Sequence, residues 1–318
     1  MKQYLLGLGL AVAVSGTVMS STAIAETVGL GSTVRGGTSQ IGKAIAAAIS
    51  GNSDMQMRPQ EMANTADYMP LVNSGNIEFG IANIVQTWFA YNGKGMSEGK
   101  PMKDLRMAAV LMPFRAGLIV PKSLGAGSVA ELKGKRWPAF KAGSLGDHVV
   151  KAFLANAGLT MADVKAVPVP NFPRMWNSFK QGTTDATIVV VGSKTNRELD
   201  ATIKGGVRFI SFDQATVASM QSWMPGMSLT EVKPSPKLPG VVEPTNVMTY
   251  DYTFFASTST KEDTVYEAVK TLHKSEKQLM ATGPIWRGFN GDRMANKVDV
   301  PFHPGAIKFY KEIGIWKD

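Results

Sequence analysis

Thr27-Val28-Gly29-Leu30-Gly31-Ser32-Thr33-Val34-Arg35-Gly36-Gly37-Thr38-Ser39 is the stretch whose reading decides the fold. Residues 27–32 read as a short strand ending near glycine, residues 33–38 as a loop, and residues 39–49 place Ile41, Ala44, Ile45, Ala48 and Ile49 at helical spacing. A strand that feeds a helix through glycines leaves the first-turn N–H groups unpaired, and the helix dipole favours an anion in front of them. Glycine admits a ligand close to the backbone at Gly36 and Gly37. Thr33, Thr38 and Ser39 add hydroxyls, and Arg35 is suited to grip a carboxylate through two parallel bonds. The same residues also fit a plain strand-to-helix turn capped by Thr38, and both readings stand at this point.

Outward from this stretch the rhythm repeats. Residues 55–59 read as a second strand, 64–74 as a helix with Ala66, Met69 and Val72 facing inward, and 77–82 as a short apolar strand. Strand, helix, strand, helix, strand predicts a parallel sheet covered on both faces. Residues 106–111 and 117–120 read as further strands, after which the pattern restarts. A short helix over 128–133, a strand over 136–140, a second glycine turn Gly143-Ser144-Leu145-Gly146, a helix over 147–157 and a strand over 186–191 follow. Two units of similar plan imply two lobes. Residues 217–247 are rich in proline and weak in periodicity, which suits either an ordered surface excursion of the second lobe or disorder. A strand over 250–256 and helices over 264–279 and 306–313 close the chain.

Composition narrows the function. Met1-Lys2-Gln3-Tyr4, the apolar residues 5–14 and Thr22-Ala23-Ile24-Ala25 have the three parts of a secretory signal, with cleavage expected before Glu26. The apolar run is short for a membrane span. There is no cysteine, which excludes disulfides, thiolate catalysis, cysteine zinc sites and a lipidated N-terminal cysteine. The net charge of +9 is spread singly among acidic residues rather than in runs, so no nucleic-acid partner is expected.

Chemistry is sparse. His148, His273 and His303 stand in no metal spacing; the first two are expected at the surface or capping helices, the third in a helix-initiating turn. Neither a nucleophile elbow nor a phosphate-binding Walker loop is present. No catalytic residue, metal or cofactor is expected. Asn83 follows the third strand, where it can reach the same cleft as the opening loop. Gln86, Trp88, Phe89 and Tyr91 form an aromatic stretch beyond it, and Arg115 follows Pro113-Phe114 at the expected lobe crossover as a second cation or a surface residue.

Several segments together carry a family likeness: Leu30-Gly31-Ser32-Thr33-Val34-Arg35-Gly36-Gly37-Thr38, Asn73-Ser74-Gly75-Asn76-Ile77-Glu78-Phe79-Gly80-Ile81, Leu132-Lys133-Gly134-Lys135-Arg136, Gly182-Thr183-Thr184-Asp185-Ala186, and His303-Pro304-Gly305-Ala306-Ile307-Lys308-Phe309-Tyr310-Lys311-Glu312. The chain resembles the TAXI-type substrate-binding proteins of tripartite ATP-independent periplasmic (TRAP) transporters. The resemblance implies an α/β fold, a two-lobe periplasmic binding protein of type II. Each lobe is a mixed sheet flanked by helices, and hinge strands join the lobes. It implies a signal over 1–25, a first lobe over 26–116, a second over 117–247, and a return to the first over 248–318.

The implied function is to capture a small organic anion, chiefly a carboxylate, in the periplasm and deliver it to the transporter's membrane subunits, as a monomer. The alternative is a sensing subunit that reports occupancy to a membrane kinase. Carried over by position, Thr33, Arg35, Gly36, Gly37, Thr38, Asn83, Ser144, Gly192 and Ser193 would line the ligand site, with Arg115 beside them. The chain departs from the family at Gly143-Ser144-Leu145-Gly146, where a second hydroxyl is usual, at Met112-Pro113-Phe114-Arg115, and at Arg35, where a small residue is usual. More arginine and fewer hydroxyls point to a ligand other than glutamate: a dicarboxylate, an aromatic acid or a sulfonate.

Overall fold

The computed structural model describes residues 26–317; the expected signal segment lies outside the described residues. In chain order the elements are β1 (Thr27–Thr33), α1 (Gly36–Asn52), β2 (Gln56–Met62), α2 (Thr65–Asn73), β3 (Phe79–Asn83), α3 (Ile84–Asn92) and β4 (Leu105–Pro121). There follow β5 (Arg136–Ala139), α4 (Leu145–Ala155), β6 (Lys165–Pro168), α5 (Phe172–Lys180), β7 (Thr187–Val190), α6 (Lys194–Thr202), β8 (Val207–Ile210) and α7 (Val217–Gln221). The chain ends with β9 (Ser228–Val232), β10 (Thr245–Ser257), α8 (Glu262–Lys274), α9 (Glu276–Thr282) and α10 (Pro304–Glu312).

Two long antiparallel strands organise the molecule. β1 pairs in parallel with β2 and β3, while β10 runs antiparallel to β3 and to β4, so the first sheet is mixed rather than wholly parallel. The distal half of β4 then pairs with β7 and β8, and the proximal half of β10 with β9. The strands expected over 106–111 and 117–120 are thus one strand serving both lobes, with β10 returning beside it. Their register slips between Asp251 and Thr253, where β4 carries an extra residue next to Pro113. A bulge beside a proline bends a strand pair, which suits a hinge.

Burial divides accordingly. One core gathers Leu30, Ile45, Phe79, Ile81, Val110, Phe254, Leu272 and Tyr310 around the first sheet. A second gathers Leu118, Val120, Trp137, Phe153, Ile188 and Phe212 on one face of the distal strands, and a third packs Phe179 of α5 and Leu199 of α6 on the other. Residues 217–247 are ordered and contribute α7 and β9.

Local chemistry explains most departures from the sequence reading. The helix expected over 264–279 breaks at Ser275, whose buried hydroxyl donates to the Thr271 carbonyl at 2.7 Å in competition with the helical pattern. The helix expected over 128–133 is a single 3-10 turn, Ala130–Leu132, followed closely by Gly134 at φ 73°. His148 is buried, not at the surface, with its ring between Phe89 and Trp223. His303 does start a helix: its Nδ1 accepts from the Gly305 amide and its Nε2 lies 3.1 Å from the Thr260 carbonyl.

Candidate functional site

Most of the expected residues gather in two groups along β4 and β10, one at the start of α1 and one at the turn before α6. α1 begins at Gly36, one residue past an extended Arg35, with no side-chain cap and no acidic residue in its first turn. Thr38 is therefore inside the helix rather than its cap, and its hydroxyl lies 3.1 Å from the Tyr252 hydroxyl on β10. Gly36 has φ +85°, a left-handed conformation that favours glycine. Gly37 packs closely: a Cβ there would stand 3.2 Å from Ile285 and 3.6 Å from the ring of Phe114. The start of α1 thus rests on the two strands that cross between lobes. Phe114 lies with its ring 5.6 Å from Tyr250 and 5.2 Å from Tyr252, forming an aromatic row across the crossing. Burial pushes both tyrosine hydroxyls up, so they stay protonated.

Arg115, next along β4, is exposed, and its carbonyl accepts from the Val191 amide at 3.0 Å. That bond brings the Gly192-Ser193 turn beside it. Thr249 is directly opposite Arg115 in the register, so both side chains project to one face. The Thr249 hydroxyl is buried, at 8% exposure, with no hydrogen-bond partner. Sequence reasoning missed Thr249, Tyr250 and Tyr252, which carry no motif and matter only through register. Arg35 is likewise exposed, and neither it nor Arg115 has an ion-pair partner among the described residues. The neighbouring Arg293 is different, because it binds Asp251 at 2.9 Å. Burial raises the Asp251 carboxyl and prevails over the lowering effect of Arg293.

Other expected residues have internal work. Thr33 donates its hydroxyl to the Arg35 carbonyl at 2.8 Å, fixing the loop. Asn83, 1% exposed, caps α3: its Oδ1 accepts from the Gln86 amide and its amide donates to the Gln86 side chain, both at 2.9 Å. Its amide group is therefore engaged within the chain. Ser144 caps α4 by accepting from the Asp147 amide. The turn before it is occupied by an internal acid, since Asp147 accepts from the Gly143 amide at 2.8 Å and pairs with Lys151 at 2.9 Å. A carboxylate already at that helix start opposes a second anion there. Ser193 caps α6 through the Asn196 amide, and buried Asn196 accepts from Gly192. The structure thus joins Gly37 and Thr38 to Phe114 and Tyr252, and Arg115 to Gly192, Ser193 and Thr249, while Ser144 serves α4. A shallow groove of about 560 Å³ beside Leu159, Thr160 and Trp223 lies at the opposite end of α4 from Ser144.

This is the architecture of the periplasmic solute-binding proteins: sheets flanked by helices in two lobes, strung on two shared strands. PhnD1 from Prochlorococcus marinus, solved in complex with methylphosphonate, has the same fold at 11% identity and a TM-score of 0.57, over 91% of this chain and 99% of that one. A TctC solute-binding protein from Polaromonas, without ligand, matches at 15% identity and 0.54, over 92% and 99%. A Xanthomonas citri protein bound to ATP matches at 9% and 0.53, over 91% and 97%. The chain itself belongs to the NMT1-like family, whose model matches residues 30–314. Among the described residues no helix is long and apolar enough to cross a membrane.

Proposed function

We propose that this protein is an exported solute-binding protein that captures a small organic anion, most simply a carboxylate, between its lobes. It delivers the anion to the membrane subunits of a TRAP-type transporter, in keeping with the TAXI-like segments of its sequence. The observation that carries the reading is the start of α1, uncapped and with no acidic residue of its own in the first turn, directly after Arg35 and set against the crossing strands at Phe114 and Tyr252, with Arg115 one residue further along β4; neither arginine has an ion-pair partner among the described residues. An anion bound at α1 and at Arg115 contacts residues of both lobes, and so favours their approach by differential affinity. The ligand residues on this reading are Arg35, Gly36, Gly37, Thr38, Arg115, Gly192 and Ser193, with Thr249 added. Binding rather than catalysis fits the hydroxyls, since Thr33, Ser144 and Ser193 each hold backbone partners instead of a base.

Mass spectrometry of whatever co-purifies with the protein identifies the ligand class. Calorimetry with carboxylates, dicarboxylates, aromatic acids and sulfonates then ranks them. Arg35→Ala and Arg115→Ala should each weaken the best ligand about tenfold or more, the scale of a lost charge-assisted hydrogen bond. Unchanged affinity in both variants refutes the anion site.

A further inference from the structure

α3 has two buried faces that belong to different cores. Thr87 and Ala90 face the first: the Thr87 hydroxyl lies 3.0 Å from that of Thr253 on β10, and the Ala90 carbonyl accepts from the Met102 amide at 2.8 Å. Asn83, paired in register with Tyr252, fixes the start of the helix to the first sheet. Ile84, Val85 and Phe89 lie on the other side, within the second lobe's core. Phe89 has its ring 4.9 Å from that of His148 on α4, and His148 is itself held 3.1 Å from the Trp223 carbonyl. Ile84 approaches to within 3.7 Å of where a Cβ on Gly226 would stand. Met220, Met224 and Met227 are buried in the same core as Ile84, Val85 and Phe89, the last two methionines flanking Gly226 in sequence. Thioether side chains repack readily, which suits a surface that must release and re-engage a partner.

We propose that α3 is an apolar latch between the lobes: a helix fixed to the first lobe whose outer face seats in a methionine-lined socket on the second. The inference rests on the two-lobe hinge reading. Rotation about the β4–β10 crossing that parts the lobes draws Phe89 off His148 and exposes this face. The latch therefore sets how closed the protein is before any ligand arrives. Apparent ligand affinity scales with the fraction of competent molecules, so the latch also tunes affinity from outside the anion site.

The absence of cysteine makes the test direct, because single labels can be placed at exposed Lys274 and Gln181 through K274C and Q181C. Inter-label distances are measured by electron spin resonance on protein refolded from denaturant to strip ligand. Phe89→Ala and, from the socket side, Met224→Ala should each move the population toward longer distances, with the double variant adding little to either. Ile84→Ala, at the rim, serves where Phe89→Ala does not fold, folding being checked by circular dichroism. Distributions of folded variants that superimpose on wild type overturn the latch. If the acid that binds tightest in the calorimetric panel still shortens the wild-type distance, only the latch has failed; if it binds and leaves that distance unchanged, the hinge reading fails with it.

Discussion

Thr249 separates two roles that one hydroxyl could have. Its oxygen is buried without a partner within the chain, so it brings a desolvation cost and no compensating intramolecular bond. Thr249→Val keeps the shape and removes that oxygen. Thermal unfolding should therefore show the variant as stable as wild type or better, by up to about 1 kcal/mol. A ligand that uses the hydroxyl should meanwhile bind several-fold more weakly by calorimetry. A stability loss with unchanged affinity would reassign Thr249 to structure. The residue was invisible in the sequence because nothing local marks it: it gains meaning only from standing opposite Arg115 across two strands separated by more than a hundred residues. Asn83 and Ser144 show the converse. Both stand at positions the family likeness marks as ligand residues, yet both are helix caps here, and the acid that fills the turn before Ser144 lies only three residues further on.

At the scale of elements, α10 explains the most specific motif in the chain. His303 caps the helix and reaches the Thr260 carbonyl, Pro304 takes the first helical position, where a missing N–H costs nothing, and Gly305 lies against α8. A Cβ on Gly305 would run into the Glu262 carbonyl oxygen and stand 3.0 Å from the Tyr266 amide nitrogen, and both are backbone atoms that cannot swing aside. Gly305→Ala should then destabilise the protein by about 3 kcal/mol through overpacking, read from a denaturation midpoint, while Ile307→Ala at the half-buried flank costs less. Midpoints that agree between Gly305→Ala and wild type would mean the two helices do not pack this closely. Elements with one apolar face, such as α1 and α10, were legible from spacing because burial on one side leaves a periodic trace. α3 was not: Ile84, Val85 and Phe89 are buried on one side and Thr87 and Ala90 on the other, so periodicity vanished and only an aromatic stretch remained. The fusion of two expected strands into β4 was equally hidden, since Pro113 reads as a break in sequence and acts as a bend in the fold.

Across the whole molecule, each lobe carries a buried histidine, and both push stability the same way. Burial lowers His148 from its ordinary 6.5, against the Trp223 carbonyl and Asp147, which raise it, and with Lys151, which lowers it further. Burial likewise lowers His303, against the Thr260 and Ser257 carbonyls and Glu262, and with Arg106. Each ring is thus neutral in the folded chain at pH values where the unfolded chain has begun to bind protons. The unfolded state holds more protons below about pH 6.5, so unfolding free energy rises with pH there. The contribution is fully present above about 6.5 and is lost as pH falls through the lowered folded values. Melting temperature should be level from pH 8 to 7 and fall from 6.5 toward 5. His148→Gln should flatten part of that fall, and since the same ring receives Phe89, acid should also lengthen the ligand-free inter-lobe distance in wild type but less in His148→Gln. A wild-type melting temperature that stays level or climbs between pH 6.5 and 5, with His148→Gln tracking it, would show that neither imidazole is held neutral by burial.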